Sequence, residues 1–140
     1  MIAYIDASVV LRLALGQKDS LSEWRHIDRG ISSALITVES LRTLDRLRIR
    51  ANVADPEIAS RRAAVLRLIA SLEIVEITSS VLERAAQPMP TQLGTLDAIH
   101  LATAVLWRDF EGIELMMATH DDALAIAAQA HGLVAIGIGR

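Results

Sequence analysis

No cysteine occurs in the 140 residues, so disulfides and thiolate metal sites are both excluded. Any metal must be held by oxygen or by histidine. Lysine is nearly absent too: Lys18 stands alone and every other basic residue is arginine, a bias that a GC-rich genome explains. Aromatics make up 3% of the chain, which suits close helix–sheet packing by small aliphatic side chains. No uncharged apolar run reaches bilayer length. The first seventeen residues are apolar but carry Asp6 and Arg12 and lack a basic leader, unlike a signal peptide. The expectation is a soluble, cytoplasmic protein with no membrane segment.

What is present is a 52% hydrophobic fraction, drawn mostly from Ala, Leu, Ile and Val. That argues against disorder, and the length fits one domain over residues 1–140. A net charge of -3 argues against a simple electrostatic nucleic-acid binder. The charge is uneven, however, because Arg42, Arg46, Arg48, Arg50, Arg61, Arg62 and Arg67 crowd one segment.

Short apolar runs alternate with helical patterns along the chain. Residues 2–5, 33–36, 74–77, 114–119 and 134–136 read as strands. Helices are expected over residues 7–15, ending at Gly16, and from a capping box at residues 20–23 to about Asp28. Residues 37–50 form a long amphipathic helix, with Val38, Leu41, Leu44 and Leu47 on one side and Arg42, Arg46 and Arg50 on another. Asp55-Pro56-Glu57 opens a helix to about Ser71, so residues 37–71 read as a helical hairpin. Ser80 caps a further helix that Pro88-Met89-Pro90 ends. Residues 94–107 are apolar on nearly every side, as in a helix covered by protein, and residues 121–130 form the last helix. This alternation implies an α/β fold: three layers, α/β/α, around a parallel sheet of four to five short strands.

Ligands in such folds bind at the carboxyl ends of strands, near the switch in strand order. Asp6 and Asp121 follow strands, while Glu39 and Asp97 stand in the first turns of helices that should pack against those ends. Each alone reads equally well as a cap or a dipole-favoured acid, and Glu39 as a partner of Arg42 or Thr43. Together, four carboxylates would repel one another unless a divalent cation lay between them. An all-oxygen cage suits Mg²⁺ or Mn²⁺, and a hard, partly hydrated ion in an acidic cleft suits phosphoryl hydrolysis.

The segments Ile5-Asp6-Ala7-Ser8, Thr37-Val38-Glu39, Leu96-Asp97-Ala98-Ile99-His100-Leu101-Ala102 and Ala118-Thr119-His120-Asp121, in this order, resemble the PIN domain, and above all the toxins of VapBC-type toxin–antitoxin systems. The resemblance spans almost the whole chain. It implies a Mg²⁺- or Mn²⁺-dependent endoribonuclease silenced by a small antitoxin, and a homodimer by analogy. Asp6, Glu39, Asp97 and Asp121 match the family's acidic quartet, which binds metal and positions the water. Ser8 and Thr119 match the supporting hydroxyls. Asp121 is preferred over Asp122 because of its spacing from Thr119. Arg42 and Arg46 become candidates for RNA phosphates or for an acidic partner.

His100 lies one turn beyond Asp97 and is expected to be a packed histidine bonded to a carbonyl, since hard cations prefer oxygen. His120 is expected to be exposed, and Trp24 and Trp107 to be core or interface residues. An aspartyl phosphatase is disfavoured because Ser8 occupies the place of its second aspartate. A receiver domain is disfavoured because Lys18 is the only lysine. The remaining alternative is a catalytically inactive PIN-like module that binds RNA or protein.

Overall fold

The computed structural model describes residues 1–139. Five strands, β1 (Ile2–Ile5), β2 (Arg29–Ser33), β3 (Glu73–Val75), β4 (Met116–Ala118) and β5 (Val134–Ile136), form one sheet in the order β3-β2-β1-β4-β5. Every neighbouring pair is parallel. The chain winds outward from β1 through β2 to β3, then crosses back to β4 on the other side of β1. The switch in strand order therefore falls between β1 and β4, and the carboxyl ends of these two strands are where folds of this kind bind ligands.

Six helices cover the sheet: α1 (Ala7–Ala14), α2 (Leu35–Ala51), α3 (Asp55–Ala70), α4 (Ser79–Ala85), α5 (Thr95–Glu111) and α6 (Asp122–Ala130). The two-residue period of a strand divides them into layers. Ala3 and Ile5 pack with Val9, Val10, Leu44, Val65 and Ile69 of α1, α2 and α3. Tyr4 faces the other way, among Leu101, Ala104, Val105, Leu124 and Ala127 of α5 and α6. This is the three-layer α/β/α arrangement expected from the alternation. Burial is complete on both faces of β1, with Ala3, Tyr4 and Ile5 all at 0% exposure. Gly30 lets β2 lie close to α3's exit, since a Cβ there would stand 2.7 Å from the Leu72 side chain.

Several local expectations are corrected. The Ser20–Glu23 pattern opens only a short 3₁₀ turn, Ser22–His26, whose cap position is Leu21 rather than Ser20 and carries no side-chain capping bond; the Ser22 hydroxyl donates to Glu23 Oε2 at 3.0 Å. The second strand lies earlier than residues 33–36. Its Arg-Gly-Ile-Ser-Ser sequence carries little apolar signal, and Ser32 is satisfied by donating to the Ile5 carbonyl at 2.8 Å. Ser33 Oγ then accepts from Leu35 N at 3.1 Å, starting α2 early. The buried positions of α2 are Ile36, Ser40 and Leu44, so Val38 is turned outward at 53% exposure. Thr78, not Ser80, caps α4 by accepting from Val81 N at 3.3 Å. The α2 and α3 helices pack on one another as an antiparallel pair, joined through Asn52 in the left-handed conformation.

Candidate metal centre

Asp6 ends β1 and precedes α1, in the position of a helix cap, yet its side chain makes no capping bond. Its carboxylate, 4% exposed, instead accepts from Ser8 Oγ at 2.7 Å and from Thr119 Oγ1 at 2.8 Å, both on Oδ2. Thr119 follows β4 and also accepts from Asp121 N at 3.0 Å. Ser8 Oγ accepts from His120 N at 3.0 Å. These bonds tie the end of β1 to the loop after β4, across the switch point. They also hold Oδ2 by two hydroxyls, which leaves Oδ1 for another partner.

A second set of bonds approaches from the helices. Glu39, in α2, accepts from His100 Nε2 at 2.9 Å, and His100 Nδ1 lies 2.6 Å from the Tyr4 hydroxyl. The expected pairing of Glu39 along its own helix does not form. Thr43 Oγ1 donates to the Glu39 backbone carbonyl at 2.9 Å, and Arg42 pairs with Asp45 at 3.4 Å. His100 is fully buried, and its partners correct the expectation of a bond to a carbonyl. Burial pulls the His100 pKa down, but the bond from Glu39 and the charges of Asp6, Glu39 and Asp97 outweigh it and leave it raised. Tyr4 is pushed far above its ordinary value, by burial first and by the Asp6 charge second.

Asp97 stands half-buried in the first turn of α5 and does not cap it, the cap position being Gly94. Its carboxyl is pushed up from 3.8 to about 6, by desolvation first and then by the charges of Asp6, Asp121 and Glu39, with His100 opposing. This one side chain therefore senses the other three acids. Asp121 caps α6, accepting from Leu124 N at 3.0 Å through Oδ1, while the neighbouring Asp122 is exposed. Of the three aspartates read as possible caps, only Asp121 makes the capping bond.

One ligand atom from each of Asp6, Glu39 and His100 lies within 4.8 Å of the others. The donor chemistry fits a hard divalent cation in part: the carboxylates of Asp6 and Glu39 meet in this group, while Asp97 and Asp121 lie outside it and act on one another through charge, which adds to burial in raising the Asp97 carboxyl. Both nitrogens of His100 are already hydrogen-bonded, so the fitting donors are the carboxylates. Arg42 and Arg46 border the same place. With Leu35, Val38, Glu39 and Leu96 they line a groove of about 220 Å³, and Arg46 donates to Thr43 Oγ1 at 3.1 Å.

The flanking residues differ from expectation in one case. His120 is held rather than loose, with Nδ1 2.6 Å from the Gly137 carbonyl. Gly137 has φ +95°, and a Cβ there would lie 2.6 Å from the Thr119 carbonyl, so the last turn is fitted closely onto the site loop. Trp24 and Trp107 pack partly buried against the two cores, and the Arg29 guanidinium lies 5.6 Å from the Trp107 ring. Sequence reasoning missed the roles of Tyr4 and His100. The available signal was a lone histidine at i+3 from Asp97 on an otherwise apolar helix, facing the same way as the acid.

Comparison with known proteins agrees with this geometry. The sequence model of the PIN domain family matches residues 3–132. Ribonuclease VapC46 of Mycobacterium tuberculosis is 32% identical over 137 residues, covering 95% of both chains. Among solved structures, PAE2754 from Pyrobaculum aerophilum aligns with a TM-score of 0.64 at 20% identity, over 96% of this chain and 83% of that one. A toxin–antitoxin complex from Klebsiella pneumoniae aligns with a TM-score of 0.61 at 17% identity, over 99% and 96% of the two chains. A family-model match over residues 3–132 and a relative 32% identical along 95% of both chains make this chain a member of the PIN domain family, of the VapC type.

Proposed function

We propose that this protein is a Mg²⁺- or Mn²⁺-dependent endoribonuclease, the toxin of a type II toxin–antitoxin pair, which hydrolyses RNA phosphodiester bonds and is silenced by a small antitoxin. The observation that carries the reading is the approach of Asp6 and Glu39, whose carboxylates offer oxygens within 4.8 Å of one another, with Asp97 and Asp121 near enough for their charges to act on each other. The match to a relative named a ribonuclease over 95% of its length supports it, and the likeness to a toxin–antitoxin complex is consistent with it.

Asp6, Glu39, Asp97 and Asp121 are the residues that would hold the ion and place a water beside it. Ser8 and Thr119 keep Asp6 Oδ2 fixed by two hydrogen bonds, which leaves Oδ1 as the oxygen that would be offered to an ion. When bound, such an ion polarises the phosphoryl oxygen and makes its water more acidic. Arg42 and Arg46 bind RNA phosphates along the groove beside Glu39 or receive acidic groups of the antitoxin. The unit that carries the activity is the domain of residues 1–140 with its α2–α3 hairpin, acting as a homodimer in the cytoplasm. No described helix is long and apolar enough to cross a membrane.

The test is cleavage of RNA by the purified, antitoxin-free protein. Cutting should require Mg²⁺ or Mn²⁺, stop with chelator, and return when the ion is restored. Cutting that continues at full rate in excess chelator, or no cutting with either ion, ends the proposal.

A further inference from the structure

We propose that His100 is a positioning residue for Glu39, and that Tyr4 in turn fixes His100, so that the centre of the sheet sets the direction of one acid of the site. The inference rests on the nuclease reading above and adds two residues to it.

The geometry allows little choice. An ionised carboxylate only accepts, so the bond of 2.9 Å between His100 Nε2 and Glu39 Oε1 requires the proton on Nε2. In a neutral ring Nδ1 is then the acceptor, and the Tyr4 hydroxyl donates to it across 2.6 Å. The Ser32 and Thr103 hydroxyls donate to the Ile5 and Ile99 carbonyls instead. If the ring gains a second proton, Nε2 still donates to Glu39.

Tyr4 and His100 are both fully buried, so neither ring can turn without disturbing the core. Glu39, by contrast, is a long side chain on the opposite layer. Among the described residues no other hydrogen bond to its carboxylate exists. His100 therefore restricts the freedom of three torsions by holding Oε1, and Oε2 is left without a hydrogen-bond partner among the described residues. A histidine that acts as a ligand would need its Nε2 lone pair, which this arrangement does not offer.

The experiment compares Mn²⁺ binding by calorimetry, nitrogen-14 spin-echo spectra of the bound Mn²⁺, and RNA cleavage for the wild type, His100→Leu, His100→Gln, Tyr4→Phe and Asp6→Asn. His100→Leu should weaken Mn²⁺ binding about 10–100-fold, the usual effect of losing a residue that orients a metal ligand, and lower kcat more than KM. His100→Gln, whose amide N–H can reach the same carboxylate, should recover most of that loss. Tyr4→Phe should show a smaller loss in the same direction. The wild-type spectrum should show no directly bound nitrogen.

A strong coupling from directly bound nitrogen overturns the proposal. So does wild-type Mn²⁺ affinity in a folded His100→Leu variant, or a His100→Gln variant no better than His100→Leu. If His100→Leu does not fold, the wild-type spectrum and the Tyr4→Phe affinity decide. Asp6→Asn separates the two readings. If it binds Mn²⁺ and cuts RNA like the wild type, the nuclease reading itself fails; if it loses both while the His100 variants are unaffected, only the positioning role fails.

Discussion

Replacing Asp97 by asparagine should make the metal-free protein more stable at neutral pH while abolishing cleavage. The carboxyl titrates at about 6 in the fold against an ordinary 3.8. Between those values the folded state holds a proton that the unfolded state has released, so stability falls as pH rises through this window. Unscreened, the shift corresponds to roughly 3 kcal/mol. Asp97 is only half-buried, and water screens it, so about 1–2 kcal/mol is the better figure. For a chain of this size the gain amounts to a rise in Tm of about 3–8 °C. The assay is thermal unfolding of the wild type and Asp97→Asn in chelator, from pH 3.5 to 7.5. The two should be close at the acid end and separate as pH passes 4 to 6, with the variant higher. His100 contributes as well: its raised pKa gives stability that is full below its ordinary value and lost as pH climbs past its folded one, and because Asp97 is one of the charges that raise it, the difference curve reduces that contribution without removing it. A constant gap across the range, or a variant less stable at pH 7, would refute the crowding on which the metal reading depends.

Thr119→Val keeps the shape of the side chain but removes the donor to Asp6 and the acceptor for Asp121 N. It should cost about 1–3 kcal/mol by denaturant unfolding and slow RNA cleavage; unchanged values in both would remove Thr119 from the site. Arg46→Glu should weaken RNA binding most at low salt and flatten the plot of log affinity against log salt by about one; a slope equal to wild type returns that helix face to plain solvation. Gly137→Ala forces a side chain into a positive-φ position against the Thr119 carbonyl and should destabilise the protein by about 1–3 kcal/mol, read as a lower urea midpoint. A midpoint at or above wild type would show that the last turn yields freely.

What sequence made legible is what neighbouring residues decide among themselves. The Ile-Ala-Tyr-Ile run became β1, the Val-Ala-Ile run became β5, and Asp121 became a cap, because period and capping act over a few residues. The alternation of such segments was enough for the layers and the parallel sheet. β2 was displaced because its polar residues are satisfied by distant carbonyls rather than by an apolar pattern. Val38 was assigned to the wrong side because the buried stripe of α2 runs through Ile36, Ser40 and Leu44, with a polar serine at its centre that an apolar pattern does not show. At the site, residue type pointed to the acids and their supporting hydroxyls. The partner of Glu39 was hidden because the choice between Arg42, three residues along the same helix, and His100, sixty-one residues away, depends on how two layers meet.

The bond between Asp6 and Thr119 spans 113 residues, and β1 pairs on one flank with a strand that is almost the last to be made. Contacts so distant along the chain close late, after most of the loop entropy has been spent. A polypeptide still emerging from the ribosome, or cut short before β4, has the early aspartate and Ser8 but not the second hydroxyl, that of Thr119, which ties it to the far side of the sheet. The acids thus gather only in a finished molecule, and incomplete copies have no assembled pocket with which to act.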